Sequence, residues 1–196
     1  MGTESAVVLA WHVDYWDYLG WKDTFGSASA TERQKRYRAA RGLKNLQTPH
    51  LFAVNRPVSG AELAEAVRKE AAKKAPFAIE GSALLEKGKV VFEGKVKAME
   101  GEGAAGEGVT VQAVLFARKT ETKCTAGENK GKTLVEYCAV VAESKPVPLA
   151  DALKKGIKVA LATKETNEAN LGVAVLVEDP KKMETLECAA FPVSPS

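Results

Sequence analysis

Two histidines, His12 and His50, three cysteines, Cys124, Cys138 and Cys188, and the aspartates Asp14, Asp17 and Asp23 carry the chemical potential of this sequence. Imidazole and carboxylate together suit a mixed nitrogen and oxygen metal site, which needs three or four converging donors. His12 and Asp14 share one face of an extended segment, but spacing fixes neither Asp17, Asp23 nor His50 relative to them. No metal ligand set is therefore assigned, and Asp14 and Asp17 serve equally well to organise a turn. The cysteines form no C-x-x-C, which removes both the metal-knuckle and the redox-pair pattern. One disulfide with one free thiol suits an oxidising compartment and three buried thiols a reducing one, and the count alone does not choose. Cys124 and Cys138 flank the turn at Asn129-Lys130 and are the candidate disulfide. A simple hairpin about that turn sets Val135 opposite Cys124, so the bridge needs a shifted register or a bulge. Cys188, beside Leu186 and Ala190, reads as a small buried apolar residue. No cofactor is expected.

Aromatic residues are concentrated beside His12. Trp11, Tyr15, Trp16, Tyr18, Trp21 and Phe25 fall within fifteen positions. Trp11 and Trp21 are expected in the core, whereas Tyr15, Trp16 and Tyr18 serve equally as packing or as a ligand surface with a polar tip.

The elements that must position these residues follow from periodicity and punctuation. Val7 to Trp11 reads as a short buried strand. Ser29-Ala-Thr-Glu32 has the capping-box pattern and predicts a helix ending near Gly42. Leu46 to Val54 reads as a second strand entered through Pro49, and Arg56-Pro57-Val58 as a turn. Ser59-Gly-Ala-Glu62 opens another helix, with Leu63, Ala64, Val67, Ala71 and Ala72 on one stripe, ended by Pro76. Beyond it come β-rich runs at Lys89–Met99, Val109–Thr120, Lys132–Ala142, Gly156–Ala162, Gly172–Glu178 and Thr185–Phe191, with no amphipathic helix between them. Turn material lies at Gly101–Gly108 and Gly127–Gly131. Strands at such spacing predict an antiparallel sandwich.

At 196 residues, with 45% apolar and 27% charged residues, the chain has the composition of a globular protein of one or two domains. A net charge of +3 is too small to imply nucleic acid, and the basic run Arg33 to Lys44 reads as a solvated helix face. No stretch approaches the roughly 18 apolar residues of a membrane span, and the start lacks the basic and apolar regions of a signal peptide.

The order strand, helix, Thr-Pro strand, helix resembles the back portion of a thioredoxin fold. The run His12-Val-Asp-Tyr-Trp-Asp-Tyr-Leu-Gly-Trp-Lys-Asp23, then Arg33-Gln34, Tyr37 and Thr48-Pro49, is similar to the signature of the domain of unknown function 1223 (DUF1223) family. Gly127 to Leu134, Val140-Val141 and Val173–Val177 extend the resemblance over nearly the whole chain. It implies a periplasmic or secreted thioredoxin-like protein. It also implies a first strand and a Cys-Ser-Ser-Cys-Pro-Pro stretch ahead of Val7, which this sequence lacks, and Met1–Ser5 reads as an artificial start. Loss of that strand leaves two rows of backbone groups in need of partners. The resemblance further implies a cis-proline at Pro49.

The resulting expectation is an α+β chain: a truncated thioredoxin-like α/β domain over residues 1–78, then an antiparallel β-sandwich-like domain over 79–196. His12, Asp14, Tyr15, Trp16, Tyr18, Thr48, Pro49 and His50 are the candidate binding residues, and no catalytic residue is assigned. The expected activity is non-catalytic binding of another exported protein or of a second copy that completes the sheet. The alternative is an extracytoplasmic thiol-disulfide oxidoreductase whose C-x-x-C segment is missing from this chain.

Overall fold

Side chains at Val111, Ala113 and Leu115 point one way along the chain and those at Val114 and Phe116 the other, and all are buried. Such double burial is the mark of a strand covered on both faces. The computed structural model, which describes residues 6–100 and 107–196, accounts for it. Met1–Ser5 and residues 101–106 of the expected Gly101–Gly108 turn lie outside the described residues.

The fold is α+β. Helix α1 (Ala28–Ala40) leads to a small antiparallel hairpin, β1 (Leu51–Ala53) and β2 (Arg56–Val58), followed by helix α2 (Gly60–Ala71). The larger sheet contains β3 (Phe77–Glu86), β4 (Lys89–Ala98), β5 (Thr110–Lys123), β6 (Thr133–Glu143), the two-residue β7 (Val147–Pro148), β8 (Ile157–Ala162), β9 (Leu171–Asp179) and β10 (Glu184–Pro195). Its order is β6-β5-β9-β10-β3-β4-β8, with β7 beside β5. Instead of two stacked sheets, one sheet curls into a half-barrel whose edge strands β6 and β8 approach each other. All its pairings are antiparallel except β10 with β3.

The concave face holds the main core, including Phe77, Val90, Phe92, Val111, Leu115, Val173, Val175 and Val177. Helix α3 (Leu149–Lys155), which the sequence reading missed, adds Leu149 and Ala152 to that core. Its seven residues are too few to show a helical period. On the convex face, Val114, Phe116, Ala174 and Leu176 are covered by Val7, Leu9, Trp11, Val140, Cys138 and Cys188. The ring of Phe116 lies over its cross-strand partner Gly172, where an added Cβ would come within 2.3 Å of Phe116 Cζ. Glycine is required there by contact.

Several local expectations need correction. Val7 to Trp11 is an extended segment and not a buried strand: Ala10 alone bridges Ala139, and Val8 is 61% exposed. The cap of α1 is Ser27, which accepts from Ala30 N–H, and Ser29 lies inside the helix. The Ser59 and Glu62 capping box is present as read. Arg56-Pro57-Val58 is a strand, because Ala53 and Arg56 close a tight hairpin. The stretch after Pro76 is β3, a member of the large sheet.

Arg33 is the largest departure. Read as part of a solvated face, it is 7% exposed. Its Nη1 donates to Glu178 Oε2 at 3.2 Å and its Nη2 to Glu178 Oε1. The guanidinium lies 4.4 Å over the Trp11 ring and 5.5 Å from that of Tyr37. Burial alone would lower the Arg33 pKa, but Glu178 holds it above its ordinary value. Arg33→Met strands the Glu178 carboxylate and should lose about 3 kcal/mol of stability or more, whereas pairing it with Glu178→Leu should recover most of that loss. Urea denaturation of the two single variants and the double variant measures both.

Candidate functional site

His12 and Asp23 frame the aromatic loop, and the backbone fixes both ends. His12 C=O accepts from Ser27 N–H, and Asp23 N–H donates to Asp17 Oδ1 at 3.3 Å. Asp23 Oδ1 accepts from Phe25 N–H at 2.8 Å, which turns Oδ2 toward His12 Nδ1 at 2.7 Å. The Phe25 ring meets the imidazole edge-on at 5.6 Å. A third group enters from β6: Glu136 Oε1 lies 3.8 Å from His12 Nδ1. One donor atom from each of His12, Asp23 and Glu136 falls within 4.8 Å of the other two.

The electrostatics of this trio are uneven. The Asp23 hydrogen bond raises the His12 pKa, burial opposes it, and the charges of Asp23 and Glu136 add to the rise. Burial pushes Asp23 up, but the His12 hydrogen bond, the Phe25 and Gly26 N–H groups and the His12 charge hold it below its ordinary value. Burial pushes Glu136 up, with the repulsion of Asp23 and against the pull of His12 and of the Thr120 hydroxyl. Glu136 Oε2 and the Thr120 Oγ1 opposite it on β5 are buried, with no partner among the described residues other than each other.

The other sequence-selected residues separate into two groups. Asp14 turns away from His12: its Oδ1 accepts from Thr31 Oγ1 at 2.6 Å and its N–H donates to the same oxygen. Tyr15 OH donates to Gln34 Oε1, and Gln34 Nε2 donates to the Gln47 carbonyl. Trp16 Nε1 donates to Thr48 Oγ1 at 3.0 Å, which joins two candidates 32 positions apart. Tyr15, Trp16 and Tyr18 follow one another as tilted rings at 5.3 and 6.3 Å, and Trp16 and Tyr18 are 45% and 76% exposed. The Thr48–Pro49 bond is cis. His50 packs on Phe52 at 4.4 Å, outside the His12 trio, and burial lowers its pKa.

The thiols are apart from both groups. All three cysteines are free. Lys123 pairs with Thr133, and Cys124 N–H donates to Lys132 C=O, so the residue facing Cys124 is Lys132 and not Val135. Cys138 lies six positions further along β6, roughly 20 Å at strand rise, far beyond disulfide reach. Burial, with Glu187 and Glu178 nearby, pushes the Cys188 thiol up to about 12.

Glu136 and the Arg33–Glu178 pair were missed by sequence reasoning. Glu136 lies on a strand distant in sequence from the aromatic loop, and no local pattern links them. Arg33 did carry a signal, since Ala30, Arg33 and Tyr37 share one helix face.

The DUF1223 family, described as a protein of unknown function, matches residues 1–178, and the chain belongs to it. No curated protein matches the chain. Among solved structures it is similar to an Agrobacterium tumefaciens protein determined by X-ray crystallography. That likeness has 20% identity and a TM-score of 0.57, over 93% of this chain and 78% of the other. It is also similar to a domain of the outer membrane lipoprotein Omp28 from Porphyromonas gingivalis. There the identity is 15% and the TM-score 0.37, over 62% of this chain and 99% of the other. The Agrobacterium likeness is one of fold.

With only two histidines, proton NMR of chelator-treated protein should give two imidazole titrations, His12 above 6.5 and His50 below it. Asp23→Asn should lower the His12 midpoint and leave His50 in place. The raised His12 pKa makes the pair's stabilisation complete below about pH 6.5, lost as pH rises through the folded His12 value. On the acid side it is lost as pH falls through the depressed Asp23 value. The stability gap between wild type and Asp23→Asn should therefore peak between those limits. Cys188 should resist alkylation at pH 7.5 in the native chain, while mass spectrometry after denaturation should find all three thiols labelled.

Proposed function

We propose that this member of the DUF1223 family is a non-catalytic binding module of the periplasm or exterior, whose contact surface is the aromatic rim around Trp16 and Tyr18. One observation carries the reading. Trp16 is 45% exposed and yet its indole N–H is tied to Thr48 Oγ1 across 32 positions. Large rings held rigidly in water lose little conformational entropy on contact, which suits recognition. Tyr15, anchored through Gln34, and Thr48-Pro49 border the rim. The partner is another exported protein.

The α1, β1–β2, α2 sequence of elements supports reading residues 1–78 as a partial thioredoxin-like unit. The exported location rests on the family resemblance. Binding is favoured over thiol exchange because no described thiol sits at the rim, Cys124 is buried, and Cys188 is held protonated. Among the described residues no helix is long and apolar enough to cross a membrane.

A photo-crosslinking phenylalanine analogue at Tyr18 should capture one discrete envelope protein, and the same group at Lys69 on α2 should not. An adduct of twice the chain's mass would make the partner a second copy. Equal, diffuse labelling from both positions would sink the binding reading. Acceleration of insulin reduction by dithiothreitol would favour the oxidoreductase instead; none is expected from this chain.

A further inference from the structure

We propose that His12, Asp23 and Glu136 form a binding site for a divalent transition cation of the zinc class, with His12 Nδ1, Asp23 Oδ2 and Glu136 Oε1 as its protein ligands. The donors come from two separate parts of the chain: the two ends of the aromatic loop, and β6.

An ion pair between His12 and Asp23 explains those two residues alone. It does not explain a second carboxylate brought beside the first, at a separation from Nδ1 of 3.8 Å that is too long for a hydrogen bond. Nor does it explain why Glu136 Oε2 is buried with no partner beyond the Thr120 hydroxyl that faces it across the β5–β6 pair. A buried carboxylate oxygen left short of donors costs about 1–3 kcal/mol. A dication neutralises both carboxylates at once, and its bound water can donate to Glu136 Oε2.

The spacing fits. Tetrahedral metal–ligand bonds of about 2.0–2.2 Å set neighbouring donors roughly 3.3–3.6 Å apart. The observed separations of 2.7 Å and 3.8 Å, with the whole trio inside 4.8 Å, straddle that range. Small side-chain rotations close the difference, and the proton on Nδ1 leaves as the metal enters. One nitrogen with two oxygens suits zinc and its neighbours better than calcium or magnesium, which prefer all-oxygen shells. Three protein ligands leave a position for water or for a donor from a bound molecule.

Asp23 already has the support a ligand needs: Phe25 N–H fixes Oδ1, which holds Oδ2 toward His12 Nδ1. Because His12 and Asp23 bracket residues 13–22, the cation would also tie the loop carrying Trp16 and Tyr18 to β6. The metal site stands independently of the rim's role in binding.

The test uses tag-free, reduced, chelator-treated full chain titrated with zinc by calorimetry and with cobalt by absorption. One equivalent of zinc should bind at micromolar affinity or tighter, and cobalt should give weak d–d bands without a thiolate charge-transfer band. Glu136→Gln and His12→Gln should each weaken binding by about tenfold or more, while His50→Gln should change nothing. Near-ultraviolet circular dichroism checks that the variants fold. If they do not, the wild type decides: cobalt should broaden the His12 imidazole signals before those of His50. Absence of binding, a thiolate band, equal affinity in folded Glu136→Gln and His12→Gln, or earlier broadening of His50 would each overturn the site.

Discussion

The structure depends on covering the convex face of β5 and β9. Both strands are apolar on each side, so a sheet that curled only around its concave core would leave Val114, Phe116, Ala174 and Leu176 in water. Burying Val114, Phe116 or Leu176 is worth roughly 1.5–3 kcal/mol each. The segment Val7 to Trp11 meets this demand with alternate residues, while Ala10 exchanges hydrogen bonds with Cys138 C=O and Val140 N–H on β6. A short extended piece therefore both covers the face and satisfies part of the sheet edge.

Covering that face forces a charge inside. Glu178 ends the apolar run of β9 on the convex side, where the Arg33 side chain of α1 reaches it. The answer is Arg33, which meets both carboxylate oxygens while its flat faces lie near Trp11 and Tyr37. Thr185 Oγ1 gives Glu178 a further donor at 3.1 Å, and Trp11 Nε1 donates to Glu143 on β6. Helix α1 is thus docked by polar contacts more than by an apolar stripe. The geometry of a planar guanidinium suits this work in a way that lysine does not.

The same docking sets the aromatic loop. Once Trp11 is committed to the convex face, His12 follows at the margin of the sheet, and the chain must turn before α1 begins. Ser27 N–H on His12 C=O and Thr31 on Asp14 close that turn. Trp16 and Tyr18 are left outward, braced by Thr48 from the segment preceding β1. His12 and Asp23 face Glu136. One loop thereby presents Trp16 and Tyr18 outward and His12 and Asp23 toward β6.

The amino-acid sequence by itself determined what depends on near neighbours: the capping box at Ser59, most of the strands after Lys89, and the family to which residues 12–23 point. Each is written in a window of a few residues, because period and capping are local physics. Tertiary structure alone decided that one curled sheet replaces a sandwich, that Arg33 is buried, that Cys124 and Cys138 stand far apart, and that Glu136 joins His12 and Asp23. Those outcomes turn on register and on which faces meet, and a one-residue shift along a strand reverses every side chain it carries.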